Sequence, residues 1–201
     1  MIRQLADPAN AITATGLILS VMGIYLAASG RTELAVAVVL WALLADHLDG
    51  VVAARTQGRS PETGKIGKSL DSLADLVSAA VFPAVVLVEV SGGSPMSAFV
   101  GSILVVASAL RLSYFNAFGL ADGQFIGVPT TYAVPLTAVL FLVRPSLPAG
   151  GFPVLLGGAL LLLAVAHVLP IRIPRTQGYM YAVVVSYVVV ASGVLAARDL
   201  I

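Results

Sequence analysis

Residues 33–90 read ELAVAVVLWALLADHLDGVVAARTQGRSPETGKIGKSLDSLADLVSAAVFPAVVLVEV. This stretch holds two long apolar runs, 33–56 and 68–90, joined by a polar segment rich in Gly, Pro and charge. A helix crosses the hydrocarbon core of a bilayer in about 20 residues, so each run reads as one transmembrane helix and the polar segment as the turn between them. Each run also carries two aspartates at the end nearest that turn: Asp46 and Asp49 in the first, Asp71 and Asp75 in the second. Apolar spans that keep four carboxylates at one end are costly to build, and that cost points to function.

The rest of the chain agrees with a membrane setting. Of its 201 residues, 59% are hydrophobic and 10% charged, against about 25% charged in an ordinary soluble domain. The mean hydropathy is +1.00. One soluble core of this size cannot hide so much apolar surface, so lipid must cover it. Further spans are expected near 11–29, 96–118, 129–144, 151–170 and 179–197, for seven in all. The 129–144 run is the weakest, being short and holding Pro129 and Pro135. The sequence thus predicts an all-α, polytopic bundle of six to seven transmembrane helices forming a single membrane domain over 1–201. Arg3 and the apolar run after it have the form of a signal peptide, but with so many later spans the first is expected to stay as a helix. There is no cysteine, which excludes disulfides, thiolate metal sites and a cysteine nucleophile. Nothing in the charge pattern calls for nucleic acid.

Basic residues set the orientation. With the N-terminus inside, Arg3, Arg55, Arg59, Lys65, Lys68, Arg111, Arg172 and Arg175 fall on the inner side and only Arg31, Arg144 and Arg198 on the outer. This eight-to-three bias predicts a cytoplasmic N-terminus in the cytoplasmic membrane, an acidic cluster facing the cytoplasm and, with seven spans, an outer C-terminus.

Asp46 and Asp49 are three apart on a helix and Asp71 and Asp75 four apart, so each pair shares a face. An antiparallel pairing of the two helices brings all four to one small volume. Each aspartate costs about 2.5–3.5 kcal/mol at the centre of a membrane helix, less near the interface, and their mutual repulsion adds to it. A divalent cation offsets that repulsion, and all-oxygen ligation suits Mg²⁺, Mn²⁺ or Ca²⁺. The plainer reading is that the aspartates cap helices or pair with Arg55, Lys65 and Lys68. It accounts for one or two of them and not for four on matched faces. Gly50 and Gly67 beside the acids allow backbone or ligand to approach closely.

Asp46-His-Leu-Asp49-Gly50 and Gly67-Lys-Ser-Leu-Asp71-Ser-Leu-Ala-Asp75 resemble the two ends of the CDP-alcohol phosphotransferase motif, Asp-x2-Asp-Gly-x2-Ala-Arg-x8-Gly-x3-Asp-x3-Asp. The middle departs from it. Ala54-Arg55 comes one residue late, and eleven residues rather than eight separate Arg55 from Gly67. Asp71 is therefore four residues further from Asp49 than the pattern has it, the excess falling in the polar segment read as loop. Choosing Gly64 restores the gap but puts Lys68 where an aspartate belongs. PANAIT resembles the Pro-Asn-x-x-Thr segment ahead of the family's first helix, with Ala9 inserted between Pro8 and Asn10. SLDSLADLVSAAVFPA, ALRLSYFNAFG and FIGVPTTYA resemble stretches of the phosphatidylserine synthase branch.

The resemblance implies an enzyme that moves a phosphatidyl group from CDP-diacylglycerol to a small alcohol and releases CMP. It implies Mg²⁺ or Mn²⁺ held by Asp46, Asp49, Asp71 and Asp75, with Asp75 also the general base. Gly50, Arg55 and Gly67 are then nucleotide-binding, membrane lipids surround the protein, and it forms a homodimer. Serine is the acceptor the branch implies; glycerol 3-phosphate and inositol phosphate are its rivals, each needing more cations. Arg111 is the candidate for an anionic acceptor, against a plain role as an interfacial arginine. Lys65, Lys68, Arg172 and Arg175 are expected to anchor loops to lipid, Tyr114, Phe115 and Asn116 to lie in the interfacial belt, and His47 to face away from its aspartate neighbours. His167 carries no assignment. A divalent-cation transporter is the rival of a different class.

Overall fold

The computed structural model describes residues 2–148, 150–174 and 178–200, so Arg175 lies outside the described residues. Among the described residues, six helices have the length and apolar character to cross a membrane: α1 Pro8–Ala28, α2 Thr32–Arg55, α3 Pro61–Val90, α4 Pro95–Phe118, α6 Gly151–Val168 and α7 Met180–Asp199. Between α4 and α6 stands a shorter helix, α5 Ala133–Val143. Its eleven residues rise about 16 Å, and 3₁₀ turns at Thr130–Tyr132 and Arg144–Ser146 extend it at either end.

The start of α3 corrects the sequence reading. The segment assigned to a loop before 68 is mostly helix, because Ser60 caps it by accepting from Thr63 N (3.1 Å) and Pro61 occupies the first turn, where its missing N–H costs nothing. Only Thr56–Ser60 remains as connection, and the polar residues from Pro61 to Asp71 are helical. Further along, α3 widens to a turn of π-helix at Val77–Val81. Pro83 follows at once, and its ring would otherwise crowd the carbonyl four residues back.

The helices alternate in direction, and side chains at their tips show which ends coincide. Arg31, in the α1–α2 turn, pairs with Asp199 at the end of α7 (Nη2–Oδ2 2.6 Å). Arg198 donates to the carbonyl of Leu142 at the end of α5 (3.1 Å). The α1–α2 turn, the end of α5 and the end of α7 therefore share one end of the bundle. The N-terminal segment, the α2–α3 connection and a small antiparallel ribbon share the other. That ribbon pairs β1 Gln124–Ile126 with β2 Arg172–Pro174, Phe125 opposite Ile173. The short α5 thus carries the chain from one end to the other, and seven passes leave the two termini at opposite ends, as seven spans require.

α1 lies close along α2 because glycines face it. A Cβ on Gly23 would stand 2.2 Å from Val39 Cγ2, so only glycine permits this approach. The core runs through Val36, Val39 and Leu40 of α2, Phe82 and Val86 of α3, Leu104 of α4, Phe141 of α5, Leu156 and Leu160 of α6 and Leu195 of α7. Large apolar side chains such as Ile18, Phe99, Leu162 and Val190 point outward, the pattern of a bundle solvated by lipid.

Candidate metal centre and its cavity

Successive turns of α2 present Asp46 and Asp49, and α3 presents Asp71 beside them. One carboxylate oxygen from each lies within 4.8 Å of the other two. Three all-oxygen donors this close fit a hard divalent cation, whose charge relieves the repulsion that otherwise opposes the arrangement. Asp75, one turn beyond Asp71, is 9% exposed and lines the same cavity. The four expected aspartates therefore face one space, with three of them forming the tight cluster.

Thr13 of α1 supports the cluster from the side: its hydroxyl contacts the Asp49 carboxylate and also lies 3.1 Å from the carbonyl of Ala9. Ahead of it, Asp7 caps α1 by accepting from Asn10 N (3.0 Å). Arg59, in the α2–α3 connection, donates through Nη2 to Asn10 Oδ1 (2.7 Å) and pairs with Asp7 (3.1 Å). PANAIT thus clamps the connection that carries the two acidic helices.

The glycines and Arg55 fare differently from one another. Gly50 is exposed and lines the cavity, and a Cβ there would meet nothing within 4 Å, so its side faces open space. Gly67 faces protein: a Cβ would stand 2.5 Å from Asn10 Oδ1 and 2.6 Å from Arg59 Nη2. Arg55 ends α2 exposed, while the arginine built into the structure is Arg59.

The cavity has a volume of about 740 Å³. The acids and Arg111 line it together with Phe115, Phe125, Tyr132 and Tyr187. Arg111 does not snorkel to the interface: it is 6% exposed, its guanidinium over the rings of Phe115 (5.5 Å) and Phe125 (5.2 Å). Phe115 is accordingly a cavity wall rather than a belt residue. Asn116 Nδ2 donates to Ser72 Oγ (2.9 Å), and Lys68 Nζ donates to Asn116 O (3.1 Å), tying α4 to α3 instead of anchoring a loop to lipid. His47 also differs from expectation. It lines the cavity, its Nδ1 3.0 Å from Leu43 O and 3.3 Å from Asp46 Oδ2, and its ring meets Tyr181 edge-on. The offset between Asp46 and His47 around the helix is real, but the cavity is wide enough to include both. Arg172 reaches Asp122 at 3.5 Å on the exposed ribbon.

Fold and site together define an integral membrane protein of α-helices with a carboxylate cluster able to hold a metal ion at one end, lining a cavity with both polar and apolar walls. The family model for CDP-alcohol phosphatidyltransferase matches residues 7–170, and the chain belongs to that family. It is 33% identical over 160 residues to an archaetidylserine synthase of Methanothermobacter thermautotrophicus, covering 78% of this chain and 65% of that protein. To a CDP-diacylglycerol–serine O-phosphatidyltransferase of Helicobacter pylori it is 32% identical over 172 residues, covering 83% and 71%. A phosphatidylcholine synthase of Rhizobium meliloti is 29% identical over 173 residues, covering 83% and 68%. The chain thus spans about two thirds of the length of these relatives.

Proposed function

We propose that this protein transfers a phosphatidyl group from CDP-diacylglycerol to the hydroxyl of a small alcohol, with serine as the acceptor, and releases CMP. The observation that carries the reading is the meeting of Asp46, Asp49, Asp71 and Asp75 with Arg111 in one cavity at a bundle end. In this reading Asp46, Asp49, Asp71 and Asp75 hold Mg²⁺ or Mn²⁺. When bound, the metal screens the donor diphosphate and stabilises negative charge on the leaving CMP. Asp75 takes the proton of the acceptor hydroxyl as its oxygen forms the new bond to the lipid-bearing phosphorus. The bond from that phosphorus to the bridging oxygen breaks, and CMP leaves with the electron pair. Gly50 leaves room for the nucleotide where a side chain would enter the cavity, and Arg111 offers its charge to an anionic group of the acceptor. The apolar walls suit a donor whose acyl chains stay in the bilayer.

Serine is favoured by the two serine-linked relatives and by a single buried arginine facing the cavity among the described residues, where glycerol 3-phosphate or inositol phosphate calls for several cations. The relatives named for phosphatidylcholine make choline the second reading. For cation transport, broken helices around a midplane site are the expected support; here α2 and α3 run through the acidic cluster without a break. The reading includes a homodimer, on family membership alone, and a cytoplasmic membrane with the acidic end inward, on the distribution of basic residues.

The test is CMP release by purified protein from CDP-diacylglycerol and Mn²⁺, comparing L-serine, choline, glycerol 3-phosphate and inositol phosphate. Serine-dependent release that is lost in Asp75→Asn, with thermal stability kept, is expected. Full activity of Asp75→Asn removes the proposed base. Release only with another acceptor keeps the reaction and overturns serine.

A further inference from the structure

The two helices that carry the acids hold each other only weakly. α1 packs along most of α2 and also along α3, whereas α2 and α3 meet each other at few places. Facing carboxylates repel, so nothing at the cluster itself draws the two helices together before a cation arrives. The spacing of Asp46 and Asp49 from Asp71 is therefore set from outside the cluster.

α1 and the Thr56–Ser60 connection supply that spacing. Arg59 meets the Asp7 carboxylate with two prongs, Nε to Oδ2 (3.1 Å) and Nη2 to Oδ1 (3.1 Å). Its Nη2 also donates to Asn10 Oδ1 (2.7 Å). Asp7 Oδ1 accepts from Asn10 N as well, and Asn10 Nδ2 donates to the Gln4 carbonyl (3.0 Å). The Arg59 and Asp7 side chains are 18% and 9% exposed. A side-on pair this well covered fixes direction as well as distance, unlike a loose surface ion pair. Both acidic helices take their bearings from this junction. Asn10 and Thr13 share a face of α1, and Thr13 contacts Asp49 of α2. Gly67 of α3 lies against Asn10 and Arg59, and Asp71 follows four residues later on the same face. One turn of α1 thus separates the junction from the residue that holds Asp49, and one turn of α3 separates it from Asp71.

Resting on the metal site of the proposed transferase, we infer that Asp7, Asn10 and Arg59 are positioning residues for that site. They set the distance between Asp49 and Asp71, and through it the affinity for the cation, without touching the cation. Arg59 Nε and Nη2 are engaged by Asp7 and Asn10, and Arg59 is not among the residues that line the cavity, so it acts through the helices it joins and not on a substrate.

The test is Mn²⁺ binding by purified protein, read by equilibrium titration with neither donor nor acceptor present. Arg59→Gln should weaken binding about tenfold, the usual size for a residue that orients a metal ligand. Asp7→Asn keeps the cap of α1 and removes the charge, and should weaken it about threefold. The double variant should bind no more weakly than Arg59→Gln alone, because both changes break one pair. Arg59→Lys, which keeps the charge but not the fork, should fall between wild type and Arg59→Gln. Gly101→Ala controls for stability. Its Cβ would stand 2.9 Å from Ala84 Cβ, beyond the π-turn of α3, so it should lower Tm and leave Mn²⁺ affinity unchanged. At saturating Mn²⁺ the kcat of Asp7→Asn should return to within about twofold of wild type. If Arg59→Gln does not fold, Asp7→Asn and Arg59→Lys carry the comparison. Unchanged affinity in the Arg59 and Asp7 variants overturns the inference, as does an equal loss in Gly101→Ala. A raised KM for CDP-diacylglycerol with unchanged metal affinity would make Arg59 a donor contact and also overturn it. Wild type that binds no Mn²⁺ sinks the metal site of the transferase reading and this inference with it.

Discussion

Gly67→Ala isolates the junction between the first helix and the acidic pair of helices. The new Cβ would stand 2.5 Å from Asn10 Oδ1 and 2.6 Å from Arg59 Nη2. Those two atoms are bonded to each other at 2.7 Å. Asn10 is also tied to the Gln4 carbonyl, and Arg59 to Asp7. Neither side chain can move aside without breaking a bond. Loss of the Arg59–Asn10 hydrogen bond costs about 1.5–3 kcal/mol, as one partner is charged. Over-packing typically adds about 1–3 kcal/mol. Alanine returns about 1 kcal/mol through its better helix propensity. The balance is a loss of about 1.5–5 kcal/mol. Gly64, on the same helix, is the control: a Cβ there meets nothing within 4 Å, so Gly64→Ala keeps only the gain. In a domain of this size each kcal/mol moves Tm by about 2–4 °C, so Gly67→Ala should melt roughly 8 °C lower and Gly64→Ala slightly higher. Differential scanning fluorimetry in detergent measures both. Combining Gly67→Ala with Arg59→Ala should cost less than the sum of the two, since the clash and the bond share an atom. Equal melting temperatures for Gly67→Ala and Gly64→Ala would refute the reasoning.

Three further outcomes follow from the same structure. Thr13→Val removes the hydroxyl that steadies Asp49 and should weaken Mn²⁺ binding about tenfold, read by equilibrium titration; unchanged affinity would make Thr13 a packing residue. Arg31→Ala breaks an ion pair whose arginine is 47% exposed, at the end away from the acids, so it should cost under about 1 kcal/mol and leave CMP release intact. Since the chain has no cysteine, single cysteines report topology cleanly. Ser29→Cys and Leu200→Cys should react with a membrane-impermeant maleimide from one face of the membrane and Asp122→Cys from the other. Labelling of Ser29→Cys and Leu200→Cys from opposite faces would contradict seven passes.

The sequence discloses much of the fold because lipid imposes a simple rule. Runs of apolar residues mark helices, and six of the seven were long enough to stand out. The boundary it misplaces is the start of α3, where PETGKIGKSL is polar and amphipathic and so lacks the hydropathy signal. Ser60 and Pro61 at its start are ordinary helix-initiating residues, but next to TQGR they read equally well as a turn. The π-turn at Val77–Val81 is likewise hidden, since only Pro83 hints at it.

At the site the same distinction applies to single residues. The four aspartates are legible because carboxylates in apolar helices carry an energetic cost that local structure does not explain. Thr13, Asn10 and Arg59 carry no such cost in isolation, and their roles depend on contacts spanning 36 to 52 positions. Arg111 shows where the argument from cost falls short. A charged residue near a helix end can reach the interface at little expense, so the sequence allows both a snorkelling and an inward arginine. What decides it is the Phe115–Phe125 pair, whose second ring arrives on a ribbon between helices. His167 is further from view: its contact with the Val128 carbonyl spans 39 positions. The carboxylates are therefore readable one by one, whereas the surroundings of Arg111 become readable only after the helices have brought them together.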